Sequence, residues 1–315
     1  METAEQLKRQ IESTQSLRDL VGTMKMLAVT NIRRYQEAVD ALGNYFGVIE
    51  QGLQIALSKH RGTPTTWERQ PSEKDGELAV VVFGSDQGLC GRFNEQMVDH
   101  VRETLVNTFD GQRPARILCI GMRPTILLQN AGFKVDREFA VPGFPTGVTR
   151  VTQEIVFAIE EWVSVENIEK VHIFHNELIR GSFYRPNDLK LLPLDADWFT
   201  RYEEKEWPNK RVIPTFTMEA EQLISSLVLQ YFFFSVYRAA VESLATENAA
   251  RLMSMQAAEK NIEERLEELK MTANQVRQNS ITAELLDIVG GYEALGGNKM
   301  KLPEPEGGAC RLPAG

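Results

Sequence analysis

The chain has 315 residues, with 44 acidic and 35 basic side chains and a formal charge of −9. That length allows one to three domains, and the acidic balance argues against a general nucleic-acid binder, which would normally be basic. Three cysteines, Cys90, Cys119 and Cys310, are an odd and sparse set that fits a reducing compartment rather than a disulfide framework.

The N-terminus is polar, of mixed charge and helix-forming, which does not read as a secretory or transit segment. Residues 1–61 contain no Pro and few Gly, and imply a helix of about 55 residues, roughly 80 Å long. Its apolar positions are Leu17, Val21, Met24, Ala28, Ile32, Tyr35, Val39, Leu42, Phe46, Ile49, Leu53 and Ala56. The steps are three or four residues, the period of a left-handed coiled-coil seam. Lys59, His60 and Arg61 suit the negative end of the helix dipole, and Gly62 and Pro64 stop the helix.

Residues 62–76 read as a polar linker. Glu77–Phe83, Ala115–Gly121 and Lys170–His175 read as buried strands, with helical patterns at about 94–109, 123–131 and 149–163 between them. This alternation predicts an α/β sheet with parallel pairs, completed by a strand near Leu189–Leu194. Residues 200–214 form a charged connection, so the central region spans 77–214.

The second long helical pattern covers 215–295. Residues 219–289 hold neither Gly nor Pro, implying about 75 helical residues and roughly 110 Å. Thr217 is the expected cap, with Glu219 and Glu221 in the first turn. The uncharged run Gln222–Tyr237 is too short for a confident membrane span and is expected to pack under the central region. The seam reads Val241, Ala245, Asn248, Leu252, Met255, Ala258, Ile262, Leu266, Leu269, Ala273, Val276 and Ser280, with Asn248 and Ser280 as interruptions. Lys260 with Glu264 and Arg265 with Glu268 can support a solvated face. The Gly- and Pro-rich tail 296–315, carrying Cys310, is expected to be flexible, beyond roughly 30 Å of unpaired second helix.

Chemistry is not evident. The turn GSDQGLCGRFN, Gly84–Asn94, could cradle a phosphate, but its spacing matches neither a dinucleotide fingerprint nor a P-loop, so tight packing is the favoured reading. Cys90 has no His with an orienting acid recognisable beside it and reads as a structural thiol. His172 and His175, three apart on a strand, point to opposite faces, which argues against joint metal binding. No catalytic, cofactor or metal residue is assigned. A nucleotide-binding α/β enzyme using Gly84–Gly91, and a self-associating coiled-coil adaptor, stand as alternatives to a force-transmitting rod.

Three segments carry a resemblance to a known family. They are LKRQIESTQSLRDLVGTMKMLAVTNIRRYQEAV (Leu7–Val39), SDQGLCGRFN (Ser85–Asn94), and ESLATENAARLMSMQAAEKN (Glu242–Asn261) with RQNSITAELLDIVGGYEAL (Arg277–Leu295). The chain resembles the gamma subunit, the central rotor shaft, of F-type ATP synthases over essentially residues 4–295. The resemblance implies an antiparallel coiled coil of the N- and C-terminal helices beside a Rossmann-like α/β domain. It implies one copy per complex, with a ring of three alpha and three beta subunits, an epsilon subunit and a membrane ring of c subunits as partners. It also implies a peripheral place on the cytoplasmic face of a prokaryotic plasma membrane, where proton or sodium flow is coupled to ATP synthesis or hydrolysis. By resemblance, Met24, Lys25, Arg277, Gln278, Thr282 and Glu284 match positions that contact the catalytic ring. Gln87 and Arg92 depart from the family's basic residue and glycine, and Thr217 and Met218 from a Glu-Pro pair; these departures suit an alternative bacterial or archaeal type.

Overall fold

The computed structural model describes residues 3–59, 76–180, 183–194, 196–203 and 215–296. The expected linker up to residue 75, most of the connection before 215 and the tail beyond 296, with Cys310, lie outside them. Two compact units divide the chain. One holds residues 1–19 and 260–315, the other residues 20–259.

The larger unit contains a five-stranded sheet in the order β3-β2-β1-β4-β5. Its strands are β1 (Leu78–Phe83), β2 (Arg116–Ile120), β3 (Arg137–Phe139), β4 (Lys170–Arg180) and β5 (Phe183–Leu192). The first four pair in parallel, and β5 returns antiparallel to β4. The intervening helices are α2 (Phe93–Thr108), α3 (Met122–Asn130) and α4 (Pro145–Ser164); α5 (Ala196–Glu203) follows the sheet. The two long helices, α1 (Ala4–Lys59) and α6 (Ala220–Gly296), contribute to both units.

The twofold alternation of strands sorts the core. Leu78, Val80, Val82, Ile117, Cys119 and Phe174 face α2 and α3, where Met97, Val101 and Leu128 meet them. Ala79, Val81, Phe83, Leu118, Ile120 and Ile173 face the other way, onto α4 and the long helices through Ile155, Trp162, Leu53, Val228 and Val236. The uncharged run at the start of α6 is therefore core: Ile224, Val228, Phe232, Phe234 and Val236 are all buried. By length and apolarity alone that helix could cross a bilayer, yet half of its most apolar window is buried in this fold.

Within the larger unit α1 and α6 run antiparallel. Lys25 meets Glu259, Asn31 meets Asn248, Tyr45 meets Gln230, and Phe46 stacks on Phe234. The expected seam of α1 holds from Val21 to Ala56, every member buried or half-buried. The smaller unit corrects it. Leu17 is exposed, while Leu7 is fully buried and Ile11 half-buried. Counting back in heptads from Val21 gives 18, 14, 11 and 7, so Leu17 is one residue out of phase. On α6, Ile262, Leu266 and Leu269 are buried and Ala273 and Val276 half-buried, but Ser280 is exposed and outside the seam.

The helix ends differ in detail. Thr3 and Gln6 form a reciprocal capping box at the start of α1. The α6 helix begins at Ala220, and Leu223 N–H donates to Glu219 C=O. The residue flanking the helix is thus Glu219; Thr217 lies two residues too early to cap it. The Lys260–Glu264 and Arg265–Glu268 pairs form at 3.8 and 2.9 Å but are mostly exposed, so each contributes well under about 1 kcal/mol.

Candidate functional site: helix faces and a sheet joint

In the larger unit, the Met24–Lys25–Met26 run presents its members differently. Met24 is half-buried in the seam against α6. Lys25 Nζ reaches Glu259 Oε2 at 2.5 Å, with both side chains about two-thirds covered, so its charge ties the two helices together. The outward side chains are Met26, 72% exposed, and its neighbours Leu20, Leu27 and Val29. The outward-facing Met26 and Leu27 thus lie beside the sequence candidates Met24 and Lys25, which face α6. The signal for this was present, because Met24 already belonged to the heptad seam.

In the smaller unit, every described side chain of α6 from Arg277 to Glu293 is exposed, including Arg277, Gln278, Thr282 and Glu284. Thr282 Oγ1 donates to Gln278 C=O one turn back. Among these polar groups stand Ile281, Leu285, Leu286, Ile288, Val289 and Tyr292, each at least half exposed. The stretch covers about 25 Å of helix. It is a mixed apolar and polar face, and the apolar half was absent from the sequence reading. Met24 and Lys25 belong to one unit and the other four candidates to the other.

The Gly-rich turn is built for packing. A Cβ on Gly84 would lie 2.4 Å from Pro124 and 2.7 Å from Asn94 Oδ1. Ser85 N–H donates to Asn94 Oδ1 at 3.0 Å, and Asn94 Nδ2 donates to Ser85 Oγ at 2.8 Å. Asp86 is also engaged, accepting from the backbone N–H groups of Met122 and Val141. Cys90 is buried, and burial pushes its thiol above the ordinary range, as expected of a structural thiol.

The strand order reverses between β1 and β4, the switch point at which open α/β sheets form a ligand crevice. Here α6 lies in that crevice. Ala250 packs with Cys90 and Phe93, and Tyr184 closes over them. One turn back, the Thr246 hydroxyl is shared, donating to the Glu242 C=O of its own helix at 2.6 Å and reaching the Asn176 C=O at 3.2 Å. One turn further, Glu242 lies 3.1 Å from His175 Nε2 and accepts from Arg238 Nε at 2.7 Å. Burial pushes the Glu242 carboxyl up, but the hydrogen bonds from His175 and Arg238 outweigh it and hold it below its usual range. In the other direction, a Cβ on Gly91 (φ +61°) would meet Ser254 Oγ at 3.1 Å. Beside this line, Glu247 pairs with Arg251 at the wall of a cavity of about 210 Å³ that also touches Asn31, Tyr35, Asp86 and Gln87. Burial, with Asp86 adding to it, raises the Glu247 carboxyl even against the Arg251 guanidinium. His172 points to the opposite face from His175, towards Asp188 at 3.7 Å, so the predicted divergence of the two imidazoles holds.

Comparison with known proteins decides the family. The family described as ATP synthase matches residues 3–295. The ATP synthase gamma chain of Desulforamulus reducens is 31% identical over 297 residues, covering 94% of this chain and all of that one. The chain belongs to the ATP synthase gamma chain family. The gamma chain of Salinibacter ruber is 28% identical, covering 92% and 97% of the two chains. Among solved structures, a chain of the Euglena gracilis mitochondrial ATP synthase (OSCP/F1/c-ring, rotational state 3) shares the fold with TM-score 0.61 at 19% identity, covering 96% of this chain and 98% of that chain. A chain from the Tetrahymena thermophila mitochondrial ATP synthase central stalk and c-ring gives 0.52 at 19% identity over 76% of this chain. Membership spans both long helices and the sheet, so the gamma chain architecture extends over the described length.

Proposed function

We infer that this chain is the central rotor shaft of an F-type ATP synthase and is itself non-catalytic. The observation that carries the reading is the antiparallel pairing of α1 and α6 in the larger unit, in a chain that matches gamma chains along its length. Two helices in seam contact resist twist and bending better than one. The crevice where an α/β enzyme would hold its ligand is filled by the chain's own helix, which disfavours the nucleotide-binding alternative.

On this reading one copy turns inside a ring of three alpha and three beta subunits. Its outward side chains press the catalytic subunits into different conformations as the angle changes. The sheet region works with an epsilon subunit and a membrane ring of c subunits, so that proton or sodium flow drives ATP synthesis and hydrolysis drives the reverse. The complex sits on the cytoplasmic face of a prokaryotic plasma membrane, with this chain peripheral. The working division is 1–61 and 215–295 for the shaft, 62–76 for the linker, 77–214 for the α/β region and 296–315 for the tail. Arg277, Gln278, Thr282 and Glu284 are the proposed polar ring contacts on α6. Met24 and Lys25 set the α1 segment whose outward members are Met26 and Leu27.

Affinity purification from the native source tests the reading. Alpha and beta subunits should co-purify at three copies each per copy of this chain. Recovery of a homodimer without them would favour the adaptor alternative instead.

A further inference from the structure

Four α6 side chains spaced one turn apart meet the α/β sheet and its first turn: Glu242, Thr246, Ala250 and Ser254. Each has a distinct partner, namely His175, the Asn176 carbonyl, the Cys90–Phe93 pair and Gly91. Steps of four residues keep such a row on one side of a helix. The row is separate from the seam against α1, which uses Val241, Ala245, Asn248, Leu252 and Met255. This segment of α6 is accordingly covered on nearly all sides, with every residue from Ala239 to Ala250 buried except the half-buried Glu242.

We propose that this row is the directional part of the joint that transmits torque between the α/β sheet and the paired helices, beside the apolar core of Leu53, Trp162, Val228 and Val236 that also holds them together. The proposal rests on the rotor reading and adds to it the surface inside this chain through which the load passes. A load about the helix axis acts sideways on each contact. Apolar burial is non-directional and resists sliding only through shape, whereas hydrogen bonds are directional and weaken steeply when bent. The row supplies both kinds of resistance. The Glu242–His175 hydrogen bond, with the shared Thr246 hydroxyl one turn on, fixes the angle of α6 against β4. Ala250 and Ser254 bring the helix so close to the turn that a Cβ on Gly91 would already crowd Ser254. Glu247 and Arg251 stand beside the row, on the side nearest Asp86 and Gln87.

The test is a rotation measurement on the assembled catalytic complex. The ring is immobilised, a bead is attached to the α/β sheet, and the angular variance of the bead is read at a dwell. Removing the acceptor and the hydroxyl leaves only the apolar core to hold the angle of the helix, so Glu242→Leu with Thr246→Val raises the variance above the parent while ATP hydrolysis keeps the parent rate. Thr246→Ser, which keeps the hydroxyl, stays at the parent variance. Should the double variant fail to assemble, Thr246→Val alone decides the matter, with a smaller rise in variance expected. A parent-like variance in whichever of these assembles overturns the proposal. So does an equal rise after cutting the exposed Arg33–Glu37 pair within α1. A parent complex whose bead does not turn at all sinks the rotor reading, and the joint with it.

Discussion

Asn31 Nδ2 donates to Asn248 Oδ1 at 3.3 Å across the two long helices, and Asn248 Nδ2 donates to the Leu244 carbonyl of its own helix. An amide pair at an otherwise apolar seam costs stability and selects register, because any slip strands both amides without partners. Asn248→Ala is expected to destabilise the chain by about 1–3 kcal/mol, since the Asn31 amide is left short of a partner. Replacing both by Leu should recover the stability and loosen the register. Denaturant unfolding checks the first part, and disulfide trapping between cysteines introduced on the two helices checks the second. Trapping at a single register in the Leu pair would refute the register role.

The Met24–Lys25–Met26 run should divide by effect. Met24→Ala removes half-buried seam contact and should lower stability, whereas Met26→Ala should change it by less than about 0.5 kcal/mol. Lys25→Ala should cost about 1 kcal/mol or less, and salt should erase the difference. In the assembled complex the order reverses, with Met26→Ala altering ATP turnover more than Lys25→Ala. Equal turnover in all three variants would show that this part of α1 does not touch the ring.

Arg277 and Gln278 are exposed on a stretch of α6 whose described side chains from 277 to 293 are all exposed. Their double replacement by Ala should leave thermal unfolding unchanged within about 0.5 kcal/mol. Coupled ATP turnover of the complex should fall. Parent-like activity and torque would reduce these residues to a solvated face.

His172 gives a pH prediction. Burial lowers its imidazole from 6.5 to about 4, against the opposing pull of Asp188. A base with a depressed folded pKa is bound by protons more readily in the unfolded chain. Its contribution is therefore fully present above pH 6.5 and is lost as pH falls towards about 4. The size is about 3 kcal/mol. Urea unfolding across that window should show stability rising with pH in the parent, with a shallower rise in His172→Gln. Identical slopes would mean that other groups carry the acid sensitivity.

Much of this was readable in advance, for reasons particular residues make plain. The long helices announced themselves by missing Gly and Pro and by a heptad from Val21 to Ala56. Val80–Val82 and Ile117–Ile120 are short, β-branched-rich apolar runs of the kind that suits a strand buried on both faces. What was not readable lacked such a signal. Strand β3 is three residues, Arg137–Phe139, at a sheet edge with two of them exposed. Strand β5 was expected only near Leu189–Leu194; its earlier part, from Phe183, carries Arg185, Pro186 and Asp188, residues that protect an edge and hide it from a hydrophobic count. Helix α5 buries Trp198, Phe199 and Tyr202, and its second half, from Thr200, falls in the stretch expected to be a charged connection. The Glu242–Ser254 row is made of small and polar side chains, so its period of four has no hydrophobic amplitude. Leu17 is the converse case, an apolar residue at a plausible spacing but outside the heptad phase.

The helix lying in the switch-point crevice also changes the competition that any soluble ligand would face there. Its occupant is tethered in the same chain, so its effective concentration is on the order of millimolar or higher. A free nucleotide would have to displace Thr246 and Ala250 from their partners and leave Cys90 and Phe93 uncovered, and every such exchange would be opposed by an intramolecular rebinding step that dilution cannot weaken. Titration calorimetry on the isolated chain should accordingly register no stoichiometric micromolar binding of ATP, and such binding would mean that the helix vacates the crevice.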